Sequence, residues 1–208
     1  VFEVTAATGA TRTVLDENTA DYAAGDTFIN SWGSRIEYLR KSEAVIYLSE
    51  RDGWKHFYHV DFQTGKRRQI TKGEWVVRGV DRLDEDKQEI WFRASGKNKG
   101  QDPYYIHHYR VSFDGTNLVA LTEGDGTHRI SYSPTKKYLI DTWSRVDMAS
   151  STAMRRVSDG ARVCDLEHAD IRDLLETGWR KPEPFRAKGR DGNTDIYGVI
   201  FRPRRLDK

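Results

Sequence analysis

The chain repeats one pattern four times, and this internal repeat restricts its fold more than any other feature of the sequence. Each copy is a β-rich run ending in valine, then a glycine turn and a second short run: VFEVTAATGATRTVL, FYHVDFQTGKRRQIT, HYRVSFDGTNLVALT and the weaker MRRVSDGARVCDL. The turn glycines are 56, 50 and 45 residues apart, at Gly9, Gly65, Gly115 and Gly160. Self-similarity at a period of about 20 to 50 residues is typical of proteins that stack one structural unit on the next.

A second hairpin precedes each of the last three copies, in IEYLRKSEAVIYLSE, GVDRLDEDKQEIWFRAS and ISYSPTKKYLIDTWS. In each hairpin a polar turn separates two alternating runs, at residues 40–43, 84–88 and 134–137. Alternation predicts that the second run of each hairpin has one buried face. In the three hairpins this face carries Ile46 and Leu48, Ile90 and Phe92, and Leu139 with the neighbours of Asp141, in that order. Two hairpins per unit give four antiparallel strands, and such a sheet must stack on its neighbours to cover its faces.

The predicted fold is therefore all-β, a β-propeller built from four-stranded antiparallel blades. Three complete blades are expected, at residues 28–73, 74–123 and 126–167. Half of another blade is expected before them, at residues 1–18. The alternative is a β-sandwich, whose turns also recur every ~8 to 12 residues, but a sandwich gives no reason for paired hairpins to resemble one another. Because a propeller needs ~4 to 8 blades, we expect this chain to be part of a longer protein.

The pattern changes after Glu167. In ADIRDLLETG the spacing i, i+3, i+4 places three apolar side chains on one helical face, those of Ile171, Leu174 and Leu175. Gly178 ends the predicted helix, WRKPEP follows as a linker, and FRAKGRDG and TDIYGVIFRP predict two strands joined by a glycine turn. Residues 168–183 are thus expected to be helix and linker, and residues 184–208 the first strands of a different domain.

Composition excludes several classes of function. Lys plus Arg total 34 against 32 for Asp plus Glu, and the net charge of +2 gives no field to recruit nucleic acid. No run approaches the ~20 apolar residues of a membrane-spanning helix, and Val1 begins directly in a strand pattern rather than in an export signal. Cys164 is the single cysteine, so no disulfide framework or cysteine metal cage is expected. We expect no nucleic-acid partner, no membrane segment in this chain, and no cofactor.

The stretch SERDGWKHFYHVD contains the residue types of a charge relay, at Ser49, Asp52, His56, His59 and Asp61. HFYHVDF has the pattern of a strand, and His56 and His59 are an odd number of residues apart, so their side chains face apart and do not form a zinc pair. Ser49 and Asp52 fall in the preceding turn, where such side chains commonly bond backbone donors. No G-x-S-x-G elbow occurs in the sequence. We therefore predict no catalytic residue and no metal site, and the sequence assigns no substrate-binding residue.

The other candidate residues receive structural interpretations. The remaining histidines fall in different units without the spacing of metal ligands, which favours strand packing or surface positions for His107, His108, His128 and His168. Gly124-Asp125-Gly126 has the pattern of a turn between blades rather than of a phosphate cradle, because no helix pattern follows it. Tryptophan recurs once or twice per unit, which favours packing between blades over stacking on sugars or bases for Trp32, Trp54, Trp75, Trp91 and Trp143.

Four blocks of the sequence resemble consecutive parts of the dipeptidyl peptidase IV branch of the prolyl oligopeptidase family of serine peptidases. They are LSERDGWKHFYHVDFQTGKRRQITKGEWVVRGV, ASGKNKGQDPYYIHHYRVSFDGTNLVALTEGDGTH, SYSPTKKYLIDTWSRVD and KGRDGNTDIYGVIFRP. The resemblance implies an eight-bladed propeller followed by an α/β-hydrolase domain with a Ser-Asp-His triad, which releases N-terminal dipeptides of the Xaa-Pro or Xaa-Ala type. Residues 1–167 correspond to the last blades, and residues 184–208 to the strands that lead into the hydrolase domain.

The resemblance also implies what this chain lacks. It has neither the nucleophile elbow nor the Glu-Glu pair with which the family holds the substrate's free amino group, so we expect both outside the chain and the chain alone to be inactive. The implied role of the propeller is to gate the access of peptide substrates to the catalytic chamber. The loop near residues 32–35 matches no family motif.

The implied partners are peptide substrates of the parent enzyme, its own hydrolase domain and a second copy in a homodimer. The implied location of the parent is outside the cell or in the periplasm. The alternative is a free-standing propeller-like module that binds a protein or a glycan. Unpaired strand edges at both ends of the blade array predict self-association, or poor order near residues 1–25, when the chain is made alone.

Overall fold

The computed structural model describes residues 2–14 and 36–203. Parts of several predictions therefore lie outside the described residues: the start of the first complete blade, the end of the half blade, Trp32 and the loop at 32–35. The chain divides into two compact units, a first unit of residues 1–99 and 108–119 and a second unit of residues 100–107 and 120–208.

The described residues form sixteen strands and one short helix. The strands of the first half are β1 (Phe2–Val4), β2 (Thr11–Thr13), β3 (Ile36–Leu39), β4 (Ala44–Ser49), β5 (His56–Asp61), β6 (Arg67–Gln69), β7 (Val76–Asp84) and β8 (Glu89–Ser95). The elements that follow are β9 (His107–Ser112), β10 (Val119–Ala120), β11 (Thr127–Tyr132), β12 (Tyr138–Arg145), β13 (Met148–Arg156), β14 (Arg162–His168), α1 (Arg172–Glu176), β15 (Glu183–Lys188) and β16 (Asp195–Ile200).

The strands form three sheets of four and two sheets of two. Each four-stranded sheet joins consecutive strands in sequence order: the first blade is β3–β6, the second blade β7–β10 and the third blade β11–β14. The two-stranded sheets are β1–β2 at the start and β15–β16 at the end. The predicted all-β fold of four-stranded antiparallel blades is confirmed.

The repeated glycines have a common conformational role. Gly9, Gly65, Gly115 and Gly160 all lie in the left-handed region, with φ between 66° and 87°, which side chains with a Cβ rarely adopt. Two of them also approach another backbone segment closely: a Cβ would lie 2.7 Å from the Ile70 carbonyl oxygen at Gly115 and 2.0 Å from the Ala120 carbonyl oxygen at Gly160. The glycine turn predicted from the repeat is therefore confirmed. Glycine fits these positions because the backbone has a positive φ and, at Gly115 and Gly160, because a Cβ has no room.

A shared backbone bond aligns the three blades residue by residue. The amide just after the third strand donates to the carbonyl just before the second strand, in the pairs Phe62 to Glu43, Phe113 to Gln88 and Val157 to Lys137, at 3.0, 2.7 and 2.9 Å. A second bond aligns the first strands, because the Val77 amide donates to the Lys55 carbonyl at 2.8 Å and the His128 amide to the Ile106 carbonyl at 2.9 Å. Equivalent positions in the second and third blades follow directly from these bonds.

The core of the first unit is apolar and rich in aromatic rings. Phe92 lies at its centre, with ring centroids 5.3 Å from Phe57, 5.6 Å from Tyr109 and 6.2 Å from Trp75. Ile46, Leu48 and Ile90 belong to the same buried cluster, as alternation predicted. The prediction of a single buried face was wrong for β4, where all six residues are buried. This inner strand is covered on both sides, because Val45 and Tyr47 pack in a second cluster with Tyr58 and Val60.

The C-terminal region has the predicted order of elements but little burial. Helix α1 ends before Gly178, whose φ is +78°, and Leu174 and Leu175 are about 42% and 41% exposed rather than packed on a core. Strands β15 and β16 pair antiparallel in an unbroken register from Glu183 opposite Ile200 to Lys188 opposite Asp195. Within the described ranges, no helix has the length and apolar character needed to cross a membrane.

Candidate functional site

The stretch from Ser49 to Asp61 contains a turn followed by strand β5, as predicted, but Ser49 is the last residue of β4 rather than part of the turn. The Ser49 hydroxyl accepts a hydrogen bond from the Arg51 amide at 3.3 Å, and the Asp52 carboxylate accepts one from the Trp54 amide at 3.2 Å. Asp61, at the end of the strand, accepts bonds from the amide and hydroxyl of Thr64, which lower the pKa of its carboxyl group. The turn-capping interpretation is confirmed, and these side chains are bound to local backbone rather than assembled as a charge relay.

The two histidines of this stretch lie in a strand whose faces alternate as predicted. Phe57 packs in the large aromatic cluster, whereas Tyr58 and Val60 pack in the other cluster. Burial lowers the pKa of both His56 and His59, and for His59 the nearby positive charge of Arg68 lowers it further. Across residues 2–14 and 36–203, no group of three or more His, Cys, Asp or Glu side chains is arranged to hold a metal ion.

His56 belongs to a hydrogen-bonded arrangement, here called the histidine clip, that the sequence analysis missed. Its Nδ1 lies 3.1 Å from the Thr71 hydroxyl, and its Nε2 lies 2.8 Å from the Gly73 carbonyl oxygen. The Phe57 amide donates to the same hydroxyl at 3.0 Å, and the edge of the ring contacts Trp75 with centroids 4.7 Å apart. A carbonyl only accepts, so Nε2 carries a proton, whereas the Thr71 hydroxyl can either donate to Nδ1 or accept from it. Burial lowers the pKa of His56, which favours the neutral ring.

The clip recurs in the second unit. His107, Thr122 and Gly124 each lie 51 residues after their counterparts, His56, Thr71 and Gly73. His107 Nδ1 lies 3.5 Å from the Thr122 hydroxyl, and its Nε2 lies 2.8 Å from Oε1 of Gln101, whose amide nitrogen donates to the Gly124 carbonyl at 3.1 Å. The sequence signal is a histidine fifteen residues before T-x-G, in ITKG and LTEG.

The third blade contains a buried ionic triad formed by His128, Asp141 and Arg155. His128 Nδ1 lies 2.8 Å from one carboxylate oxygen of Asp141, and Arg155 Nε donates to the other at 2.9 Å. Arg155 also donates to the backbone carbonyls of Gly160 and Glu123, at 3.2 and 3.1 Å. None of the three triad residues is more than 2% exposed. The extra backbone bonds let the guanidinium group be buried without unsatisfied donors.

The structure corrects the view that the histidines are scattered. His107 lies in the second blade and His128 in the third, yet their ring centroids are only 4.6 Å apart. The bond between the His128 amide and the Ile106 carbonyl explains this, because it places the starts of β9 and β11 side by side. Two other histidines fit the prediction of strand or surface positions: His108 Nδ1 lies 2.6 Å from Asp81 in the first unit, and His168 bonds to Ser151 on the surface.

The tryptophans and the Gly-Asp-Gly turn have mixed outcomes. Trp75 is buried against His56 of the first blade, as predicted for packing between blades. Trp91 is buried and Trp143 is half-buried. The prediction was wrong for Trp54, which is 40% exposed because it sits in the turn after β4. Gly124-Asp125-Gly126 lies between β10 and β11, as predicted for a turn between blades.

Neither the ionic triad nor the cleft beside the last hairpin contains a serine or a cysteine. The triad has no nucleophile, and its fully buried carboxylate offers a substrate no access. A surface cleft of about 500 Å³ lies between the loop at 100–105 and the β15–β16 hairpin, but its lining contains no serine, cysteine or histidine.

Comparisons with known proteins agree with this architecture. The family model for the dipeptidyl peptidase IV (DPP IV) N-terminal region matches residues 1–150. The chain belongs to this family. Among curated relatives, a probable dipeptidyl peptidase 4 of Aspergillus flavus is 23% identical over 60% of this chain, and this chain spans 17% of its length.

Two solved structures have the same fold as this DPP IV N-terminal region. The dipeptidyl peptidase 4 of Porphyromonas gingivalis superimposes with a TM-score of 0.60 at 21% identity, covering 83% of this chain and 24% of its own. A putative dipeptidyl aminopeptidase IV from Bacteroides ovatus gives a TM-score of 0.62 at 21% identity, covering 83% of this chain and 26% of its own. The four-stranded sheets are thus propeller blades of the DPP IV type, and the chain spans about a quarter or less of each protein compared.

Proposed function

We propose that this chain forms the last blades of the propeller of a serine exopeptidase that releases N-terminal dipeptides of the Xaa-Pro or Xaa-Ala type. In this proposal the blades gate the access of peptides to a catalytic chamber, and the catalytic Ser-Asp-His residues lie outside these 208 residues. The match of the DPP IV N-terminal region over residues 1–150 carries the proposal. The absence of a G-x-S-x-G elbow from the sequence supports the placement of the nucleophile elsewhere.

The last hairpin supports a connection to a further domain. A two-stranded hairpin is marginally stable by itself in water, and β15–β16 exposes several large apolar side chains, namely Phe185, Ile196, Val199, Ile200 and Phe201. We therefore assign residues 168–183 to a helix and linker and residues 184–208 to the first strands of an α/β-hydrolase domain. Additional strands of that domain would cover the apolar side chains.

A hydrolysis assay tests the proposal. The 208-residue chain and the full-length polypeptide of the same reading frame are each given a chromogenic Xaa-Pro dipeptide, with and without a serine-directed inhibitor. We expect inhibitor-sensitive hydrolysis by the full-length polypeptide and none by the 208-residue chain. Turnover by the chain alone that the inhibitor abolishes would contradict the assignment, and so would a reading frame that stops at Lys208.

A pair of matched substitutions in the full-length polypeptide tests the role of the hairpin. Ile196 and Val163 are 52% and 47% exposed, but Ile196 lies in β16 and Val163 on the outer strand of the third blade. We expect Ile196→Asp to reduce peptidase activity at least tenfold, because a carboxylate would be buried beneath the added strands, and Val163→Asp to leave it within twofold. Equal activity of the two variants would exclude packing of the hairpin against the catalytic domain.

A further inference from the structure

Two arginines at the same position of the repeat make the same contact with the blade that follows. Arg12 and Arg68 each lie three residues after a turn glycine, in the middle of β2 and of β6. Arg12 Nη2 donates to the Phe62 carbonyl at 2.5 Å, and Arg68 Nη2 donates to the Phe113 carbonyl at 3.1 Å. Phe62 and Phe113 are themselves equivalent, because each amide donates to the carbonyl just before the second strand of its blade. These two contacts, here called the arginine clamps, tie the β1–β2 hairpin to the first blade and the first blade to the second.

The two clamps differ in the residue that faces the arginine across the hairpin. Arg12 is paired with Glu3 in the β1–β2 ladder, and its Nε donates to the Glu3 carboxylate at 2.9 Å. Arg68 is paired with His59 in the β5–β6 ladder. Glu3 and His59 each lie six residues before the turn glycine, so they occupy the same position of the repeat. A carboxylate attracts the guanidinium group, whereas an imidazole is either neutral or, once protonated, repels it.

The groups around His59 favour its neutral form. Burial lowers the pKa of His59, and the positive charge of Arg68 lowers it further, against a smaller opposite effect of Asp61 on the same strand. On the other side of β5, the residue paired with His59 is the apolar Ile46 of β4. At neutral pH the clamp at Arg68 therefore has an uncharged ring beside it in the first blade.

The second blade supplies a carboxylate as well as a carbonyl to this clamp. Hydrogen bonds from Thr116 lower the pKa of Asp114, and the positive charge of Arg68 lowers it further. Asp114 directly follows Phe113, so both groups that favour the guanidinium ion come from the start of the same turn. The charge of Arg68 is thus drawn toward the second blade, and a positive charge on His59 would oppose it from the first.

From these contacts we infer that the clamp at Arg68 is an acid-sensitive connection between the first and second blades, which is weakened when His59 is protonated. The added proton places a second cation opposite the guanidinium group, and like charges that face each other across two strands are destabilising. The folded chain binds this proton less tightly than the unfolded chain does. The stabilisation is therefore complete above the usual pKa of histidine, about 6.5, and is lost as the pH falls toward the lowered pKa of His59. The clamp at Arg12 faces a carboxylate and should not respond in this range.

Removal of each arginine at two pH values tests the inference. The 208-residue chain and its Arg68→Gln and Arg12→Gln variants are unfolded in urea at a pH of about 7.5 and of about 5, on either side of the usual pKa of histidine. At the higher pH we expect Arg68→Gln to lower the ratio of folded to unfolded chain by about two- to fivefold, the size of a cross-strand pair. At the lower pH this loss should be at least about twofold smaller, because the substitution also removes the repulsion. The loss in Arg12→Gln should be the same at both pH values.

Substitutions of His59 identify the source of the pH dependence. His59→Gln is uncharged at both pH values and should make the loss caused by Arg68→Gln independent of pH. His59→Glu copies the charge of Glu3 and should make that loss larger, and again independent of pH. An equal loss at both pH values in the chain with His59 would overturn the inference, and so would a pH dependence that persists in the His59→Gln background.

Discussion

The second and third blades fill the same three core positions with opposite chemistry. The alignment of the two blades rests on two kinds of backbone hydrogen bond. The Val77 amide makes one kind in the second blade and the His128 amide its equivalent in the third; the Phe113 and Val157 amides make the other kind. Val77 pairs with Ala94 in the second blade, and His128 pairs with Trp143 in the third. Ala94 and Trp143 are therefore equivalent, and so are the residues two positions before them, Phe92 and Asp141. The apolar set is Val77, Phe92 and Val111, and the ionic set is His128, Asp141 and Arg155.

The comparison shows that the backbone plan of a blade does not depend on an apolar interior at these positions. Both sets are buried, and both blades keep the same connecting hydrogen bonds. The apolar set gains stability from the transfer of hydrocarbon out of water. In the ionic set the attraction between charges is offset by the loss of their hydration, so its net contribution is small while its dependence on each partner is large. The two blades should therefore differ in their response to single substitutions.

Removal of the shared carboxylate should give the largest effect. Asp141→Ala leaves the buried Arg155 with only the exposed Glu123 carboxylate, 3.4 Å away, as its counter-ion, and breaking a buried pair in this way typically costs about 3–5 kcal/mol. The matched control is Asp159→Ala, which removes the partner of the adjacent Arg156, an exposed pair at 52% and 48% side-chain exposure, together with a bond to the Ala161 amide. We expect it to cost much less, because water screens an exposed pair. Urea unfolding curves measure both changes, and equal losses would contradict the distinction between buried and exposed pairs.

The turn glycines should show a graded effect between units. Gly160→Ala places a Cβ 2.0 Å from the Ala120 carbonyl oxygen at a φ of +74°, and we expect a loss of about 2–4 kcal/mol from the clash and the left-handed backbone together. Gly65→Ala has a similar φ of +66° but nothing within 4 Å of the added atom, so only the backbone cost of about 1–2 kcal/mol remains. Thermal unfolding of the two variants measures the difference. A loss at Gly65 as large as that at Gly160 would show that close approach is not the cause.

The acid response of the histidine clip is the smaller effect. Burial lowers the pKa of His56, so below about pH 6.5, where a free histidine titrates, the unfolded chain binds more protons than the folded one. Stability in the first unit should therefore fall as the pH falls through this range, by at most about 1.4 kcal/mol per pH unit for this one group. His56→Asn should flatten the acid limb of a plot of unfolding free energy against pH. An unchanged limb would assign the acid response to other groups, such as His59.

Much of the fold could be predicted because the same pattern of strands and turns occurs several times in the sequence. The glycines and the polar turns separate the strands of each blade at nearly constant spacing. Alternation along a strand is a local property, so strands and hairpins can be predicted from nearby residues. The burial of β4 on both faces did not follow, because it depends on which sheets cover it. Helix α1 shows the reverse limit, since its spacing predicts a helix but cannot tell that Leu174 and Leu175 remain exposed.

The histidine clip and the ionic triad could not be predicted for a related reason. His107 and His128 lie 21 residues apart in sequence, and only the backbone bond between their strands brings the rings together. Asp141 and Arg155 occupy positions where alternation predicts apolar residues, and no local pattern distinguishes a buried pair from two surface charges. An alignment of the blades by their T-x-G segments would have revealed the clip, because it shows a histidine at the same offset twice.

Exchange of the ionic set for the apolar set tests the central claim most directly, namely that the blades are equivalent repeats. The triple substitution His128→Val, Asp141→Phe and Arg155→Val transfers the residues of the second blade into the third. We predict a folded chain whose free energy of unfolding, measured in urea, is within about 1 kcal/mol of the original value or above it, since buried ion networks are often replaced by hydrocarbon without loss. A loss of several kcal/mol, or loss of amide protection confined to β11–β14, would show that the positions are not equivalent.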